Sequence, residues 1–152
     1  MTHDPVAVFS AVFAAIYAAH HVGDHWVQRD HDARHKGLPG WAGQRACASH
    51  VFSMTLTKIA FLITMLVATH LSVNLWAATA GLAVDAISHY WADRRTTLAR
   101  LAELVPGKKG FYLLGRPRTD HDDNPCLGTG AYALDQSWHI GWLFVAALIV
   151  VI

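Results

Sequence analysis

The sequence predicts an all-α integral membrane protein in which four transmembrane helices form a bundle. Composition supports this class, because 53% of the 152 residues are hydrophobic and 15% are charged, whereas an average soluble domain has about 25% charged residues. Four apolar segments, each near the roughly 20 residues that a helix needs to cross hydrocarbon, cover residues 5–27, 46–68, 71–93 and 131–152. We interpret residues 1–152 as a single membrane domain.

The first apolar segment opens with Asp4 and Pro5, which are typical of a helix N-cap and a first helical position. The second and third segments meet at a tight connection near His70. Apolar residues then recur at helical spacing within the loop 94–130, namely Leu98, Leu101, Leu104 and Val105. This spacing predicts a short amphipathic helix at the membrane surface between the third and fourth helices.

The distribution of basic residues predicts how the chain is oriented. All of the 12 Lys and Arg residues except Lys58 lie in the two long loops, 28–45 and 94–130. Basic residues near helix ends tend to stay in the cytoplasm, so we expect both loops to face it and both termini to lie outside. The formal charge of +1 leaves no surplus of cations for a phosphate backbone, so the expected partner is the lipid bilayer and not nucleic acid. We leave homo-oligomerisation open.

Polar side chains recur inside the apolar segments, mostly four residues apart. They are His20, Asp24 and Gln28 on the first segment, His50 and Lys58 on the second, Asp85, His89 and Asp93 on the third, and Asp135, Gln136 and His139 on the fourth. Residues at i and i+4 share one helical face, and ionisable groups at membrane depth usually mark a site. Because the helices alternate in direction, the clusters all fall at the cytoplasmic end, which predicts one shared polar centre.

Imidazole with carboxylate is a ligand set typical of zinc, iron and manganese. We expect a divalent metal, with zinc the first choice, bound within the set His20, Asp24, His50, His89, Asp93, Asp135 and His139. Zinc usually takes four ligands, so some members of the set must orient others. We expect that role also for Gln28 and Gln136, and expect Lys58 to neutralise Asp85.

The leading functional hypothesis is a metal-dependent hydrolase that acts on a lipid-linked or membrane-delivered substrate. Asp24, Asp93 or Asp135 would serve as general base for a water that the metal activates. The first alternative is a non-enzymatic accessory or regulatory protein whose His/Asp centre is structural. A proton relay and a haem site rank below these, and haem is disfavoured because an Asp lies four residues from most candidate ligands. The acidic run at 120–124 is interpreted as a solvated loop, with a lid over the site as the alternative.

Four segments carry a family resemblance: AHHVGDHWVQRDHDARHKG near the start, SH at 49–50, SHYWADRR at 88–95 and LDQSWHIGWL at 134–143. They resemble the bacterial membrane family catalogued as domain of unknown function 3307, over nearly the whole chain. The resemblance implies a location in the bacterial cytoplasmic membrane, and it carries over His20, Asp24, Gln28, His50, His89, Asp93, Asp135, Gln136 and His139. It implies no particular reaction. A fainter similarity to membrane-bound metal-dependent hydrolases rests on the shared His and Asp.

Overall fold

The computed structural model describes residues 4–116 and 129–151, and within these ranges the chain forms helices and turns with no strand. A π-helical turn, Gly23–Val27, continues the first helix. The α-helices are α1 (Pro5–Val22), α2 (Asp30–His35), α3 (Gly40–Thr69), α4 (Leu75–Asp93), α5 (Thr96–Leu104), α6 (Lys108–Tyr112) and α7 (Gly130–Val151). The acidic run at 120–124 lies outside the described residues.

Within the described part of the chain, three helical stretches are long and apolar enough to cross a membrane: Pro5–Val27, Gly40–Thr69 and Gly130–Val151. This is consistent with a membrane protein. Helix α4 is not one of the three, and it carries Asp85, His89 and Asp93 within its 19 residues. These polar groups lower its mean hydropathy, so a fourth crossing stays a prediction. Helix α4 nevertheless packs along α7 as part of the same bundle.

Two helices begin several residues away from their predicted starts. Helix α3 begins at Gly40, six residues before the predicted start, so it takes in part of the expected loop. Helix α4 begins at Leu75 and not at 71, because the Asn74 side chain accepts hydrogen bonds from the backbone N–H groups of Trp76 (2.8 Å) and Ala77 (3.2 Å). This N-cap satisfies orphan donors of the first turn.

The two loops contain short helices. Helix α5 lies where the leucine spacing predicts an amphipathic helix, and it buries Leu98 and Ala102 while Leu104 stays exposed. Helix α2 was not predicted, because a six-residue helix has too few turns to show a hydrophobic period. Its position matters for the site described below.

Apolar and polar side chains occupy opposite ends of the bundle interior. The apolar core is built by α1, α3 and α7 from Val8, Val12, Ala15, Ile16, Leu62, Leu143, Ala146, Ala147 and Val150. The other end buries histidines and carboxylates from the same helices and from α4. The interior of the bundle therefore changes from apolar to polar between one end and the other.

Replacing Gly81 by alanine is expected to destabilise the bundle. A Cβ atom at Gly81 would lie 2.7 Å from the carbonyl oxygen of Ala146, so α4 and α7 would have to separate. Overpacking of this kind typically costs about 1–3 kcal/mol. The matched control is Gly141→Ala, since a Cβ there meets nothing within 4 Å. Thermal unfolding in detergent should show a lower Tm for Gly81→Ala only, and equal Tm values would contradict the close approach of the two helices.

Candidate metal centre

The polar residues singled out from the sequence lie together at one end of the bundle. There, the end of α1 with its π turn and the end of α4 meet the N-terminal halves of α3 and α7. The π turn widens the helix at Asp24, and Gln28 closes it with an N–H donated to the Gly23 carbonyl at 2.9 Å. Such π bulges are frequent at functional sites. The convergence joins residues from four helices that are far apart in the chain.

Three side chains surround the Nε2 atom of His50. This atom lies 3.1 Å from Nε2 of His89, 3.2 Å from Oδ2 of Asp93 and 3.3 Å from Oδ1 of Asp24. Nε2 of His89 is also 3.2 Å from Oδ2 of Asp93. His50, His89 and Asp93 are buried, and Asp24 is nearly so. Two imidazoles and two carboxylates thus point their ligand atoms at one small volume.

Gln28 orients the His50 ring from the other side. With its amide turned so that both of its polar atoms are satisfied, its oxygen accepts from Nδ1 of His50 at 3.0 Å and from Nζ of Lys36 at 2.9 Å. Its NH₂ group then donates to the Asp24 carbonyl at 3.2 Å. A proton held on Nδ1 leaves the lone pair of a neutral ring on Nε2. Gln28 therefore sets the tautomer in which His50 can bind a cation.

A second group of potential ligand atoms joins the first through His89. One ligand atom from each of His89, Asp93 and His139 lies within 4.8 Å of the others. Nε2 of His139 is 3.5 Å from Oδ1 of Asp135 and 3.7 Å from Oδ1 of Asp93, and its ring stacks on His89 with centroids 4.0 Å apart. Asp135 is the most open carboxylate of the centre, with 25% of its side chain exposed.

His20 lies beside the centre without joining either group of ligand atoms. It is fully buried, and its ring centroid is 5.1 Å from that of His139 and 5.4 Å from that of His89. Neither ring nitrogen has a hydrogen-bond partner among the described residues. The structure thus places His20 against the rings of His89 and His139 but outside the two groups of converging ligand atoms.

Gln136 holds the other oxygen of Asp24. Its Nε2 donates to Oδ2 of Asp24 at 3.2 Å, which leaves Oδ1 facing His50. Gln136 and Gln28 therefore orient Asp24 and His50, the role that the sequence predicts for them.

Lys36 is the residue of the centre that sequence analysis missed. Its Nζ donates to Oδ2 of Asp93 at 3.0 Å and lies 3.8 Å from Oδ1 of Asp24. In the sequence it was one basic residue among several in a loop, with no periodicity to mark it as buried. Arg94 holds it in place by donating to the backbone carbonyls of Lys36 (2.7 Å) and Leu38 (2.6 Å).

Arg29 connects the buried carboxylate of Asp32, on α2, to Ser49 on α3. Arg29 donates to Oδ2 of Asp32 at 3.0 Å and also to Oγ of Ser49, the residue before His50. Burial disfavours the charged carboxylate, but hydrogen bonds from His31 and Arg29 outweigh it and lower the pKa of Asp32. Asp32 therefore stays ionised near neutral pH and helps to hold α2, and with it Lys36, over the centre.

Lys58 and Asp85 form the predicted ion pair, about two helical turns beyond His50 on α3. Nζ of Lys58 lies 2.5 Å from Oδ2 of Asp85, and both side chains are buried. The two opposite charges cancel, so this pair adds no net charge to the centre.

Three observations support a divalent metal bound by these His and Asp side chains. Nitrogen or oxygen ligands about 2.0–2.2 Å from one tetrahedral zinc would lie about 3.3–3.6 Å from one another, close to the 3.1–3.3 Å contacts of His50 Nε2. Among the described residues, Lys36 is the one Lys or Arg within 4 Å of the carboxylates of Asp24, Asp93 and Asp135, so the charges in direct contact there do not balance. Oδ1 of Asp24, one of the converging ligand atoms, is also buried without a hydrogen-bond partner among these residues. Buried polar groups are usually satisfied, so a cation is the expected missing partner.

The fold and the centre define an all-helical protein with candidate membrane helices and a buried His/Asp cluster. Searches against family models, curated proteins and solved structures find no match to this chain. The resemblance to domain of unknown function 3307 therefore stays a prediction, and function has to be argued from the geometry.

Proposed function

We propose that this protein is a metal-dependent hydrolase embedded in a membrane, with its metal at the His/Asp end of the bundle. The observation that carries the proposal is the meeting of His50 Nε2, His89 Nε2, Asp24 Oδ1 and Asp93 Oδ2 within one small buried volume. Imidazole and carboxylate together are the ligands of many zinc hydrolases.

His50, His89, Asp24 and Asp93 would hold the metal, with zinc the first choice. When bound, the ion would supply a Lewis acid that activates water. Asp135 is our choice of general base, because its carboxylate is partly exposed and lies 3.5 Å from His139 Nε2, which in the neutral ring would accept a hydrogen bond from the acid that forms when Asp135 takes up a proton. Gln28 and Gln136 would keep His50 and Asp24 in their ligand orientations.

We propose further that α4 is the fourth crossing and that the metal end faces the cytoplasm of a bacterial cell, with both termini outside. Lys and Arg in the two loops at this end support this orientation. A centre at this depth would meet substrates that are part of, or delivered to, the inner leaflet.

The alternative is a structural hydrogen-bond network in a non-enzymatic membrane protein, and one observation favours it. Lys36 already supplies a positive charge to Asp93 at 3.0 Å, and protonated His50 or His139 would supply the rest. Metal content separates the two hypotheses, since a network neutralised by protons needs no ion.

The test measures metal by elemental analysis in protein purified without a His tag or a chelating resin. We expect about one divalent ion per chain in the native protein and loss of most of it in His50→Ala and His89→Ala, which remove ligands. Gln28→Ala should weaken metal affinity by about 10–100-fold, as loss of an orienting partner does. His35→Ala is the matched control, because His35 stacks on His31 outside the centre.

Native protein without stoichiometric metal would overturn the metal proposal in favour of the structural network. Metal content unchanged in both His50→Ala and His89→Ala, with the variants folded, would do the same.

A further inference from the structure

A cavity of about 790 Å³ leads to the candidate metal centre from the side of the loops. Its lining includes three carboxylates, Asp24, Asp93 and Asp135, and three cationic side chains, Lys36, Arg95 and Arg116. These charges cancel, so a divalent ion in the centre would leave the cavity with two positive charges. The cavity is then suited to a dianion.

The two arginines are chemically suited to bind phosphate. Arg95 uses one N–H to donate to the Ala33 carbonyl at 3.1 Å, which tethers its guanidinium to α2 and leaves further donors. Arginine presents five donors in a planar fork that matches phosphate oxygens. Tyr112 and Tyr132 also line the cavity and offer hydroxyl groups to the same kind of ligand.

An apolar groove of about 340 Å³ runs beside this cavity, between α5 and α7. Its walls are mainly apolar and aromatic, and they include Leu98, Leu101, Val105, Trp138, Trp142 and Val145. Leu98 lines both the groove and the cavity, and Leu134 of the groove is followed in the chain by Asp135 of the cavity. A charged compartment and an apolar one are therefore directly adjacent, on a helix that is a candidate membrane span.

We propose that the substrate is a lipid with a phosphate monoester headgroup, the phosphate lying in the cavity and a hydrocarbon chain in the groove. This inference rests on the proposed function, because the bound metal supplies the charge that the dianion balances. Both volumes lie within the about 300–1,000 Å³ typical of ligand sites. The groove favours a lipid over a free phosphate ester, which would use only the charged compartment.

The test titrates the purified, metal-loaded protein in detergent with dioleoyl phosphatidic acid, dioleoyl phosphatidylglycerol and inorganic phosphate, with bound lipid detected by native mass spectrometry. We expect phosphatidic acid to bind at least tenfold more tightly than phosphatidylglycerol, whose phosphodiester has one negative charge. Inorganic phosphate should compete only at far higher concentration, since it lacks the chain. Metal content is measured on the same samples.

Variants test the two compartments separately. Arg95→Gln combined with Arg116→Gln should lower the affinity for phosphatidic acid at least tenfold. Gly141→Leu should lower it too while leaving the affinity for inorganic phosphate unchanged, because Gly141 lines the groove and a Cβ atom there would meet nothing within 4 Å. Arg34→Gln is the control, since Arg34 is exposed, pairs with Asp30 and does not line the cavity.

Equal binding of the two lipids, or affinity for phosphatidic acid unchanged in both the double arginine variant and Gly141→Leu, would overturn the inference. If inorganic phosphate binds as tightly as phosphatidic acid, the proposed lipid substrate is wrong and a soluble phosphate compound takes its place. In each case, retained metal would leave the proposed function standing, whereas native protein without metal would remove the proposed function itself.

Discussion

Replacing Lys58 by methionine is expected to destabilise the protein by about 3–5 kcal/mol, the usual cost of removing one partner of a buried ion pair. Lys58 is fully buried and its Nζ lies 2.5 Å from Oδ2 of Asp85, itself only 5% exposed at the side chain. Methionine keeps most of the volume of the lysine side chain, so the loss comes mainly from the carboxylate that is left without its cation. Chemical denaturation in detergent measures the change.

The double variant Lys58→Met with Asp85→Val separates charge from packing. Replacing a buried ion pair by apolar residues is often neutral or stabilising, so the double variant should recover most of the stability that Lys58→Met loses. Lys109→Met is the control, because Lys109 and Glu103 form an exposed pair at 3.6 Å, and such pairs contribute about 0–1 kcal/mol. Asp85→Val alone completes the comparison. If the losses of stability in Lys58→Met and Asp85→Val simply add in the double variant, the two residues are not energetically coupled and the ion pair does not contribute as expected.

Asp93→Ala is expected to have the other large effect, on stability and on metal content together. The Asp93 carboxylate accepts from Lys36 at 3.0 Å and lies within 3.7 Å of nitrogens of His50, His89 and His139. Its removal leaves the Lys36 ammonium in a nearly buried site without its main partner, at a cost of about 3–5 kcal/mol. Elemental analysis should show loss of bound metal in the same sample.

Two comparisons make the Asp93 prediction specific. Asp93→Asn keeps the shape but not the charge, so it should lose metal while destabilising the fold less than Asp93→Ala. Asp30→Ala removes an exposed carboxylate paired with Arg34 at 2.9 Å and should change neither property. A folded Asp93→Ala protein with native stability would show that the carboxylate neither supports Lys36 nor organises the histidines.

The i, i+4 spacing of His20 with Asp24, His89 with Asp93 and Asp135 with His139 was enough to predict that each pair shares a helical face. Alternation of helix direction, inferred from the apolar segments, then predicted that the pairs meet at one end of the bundle. Both steps use local periodicity and chain direction, which a single sequence contains. The structure brings His50, His89, Asp24 and Asp93 together at that end.

Tertiary packing decided which members of that set touch. His20 has the same spacing as the others, yet it packs against His89 and His139 without entering either group of ligand atoms. The rotation of α1 about its axis and the π turn at Gly23–Val27 decide this, and both depend on contacts with other helices. Lys36 entered the centre through α2, Arg94 and Asp32, contacts between residues up to 58 positions apart. Periodicity in a sequence indicates only which residues are neighbours on one helix. The long-range contacts of Lys36, and the cavity that Lys36 helps to line, form only when the helices pack together.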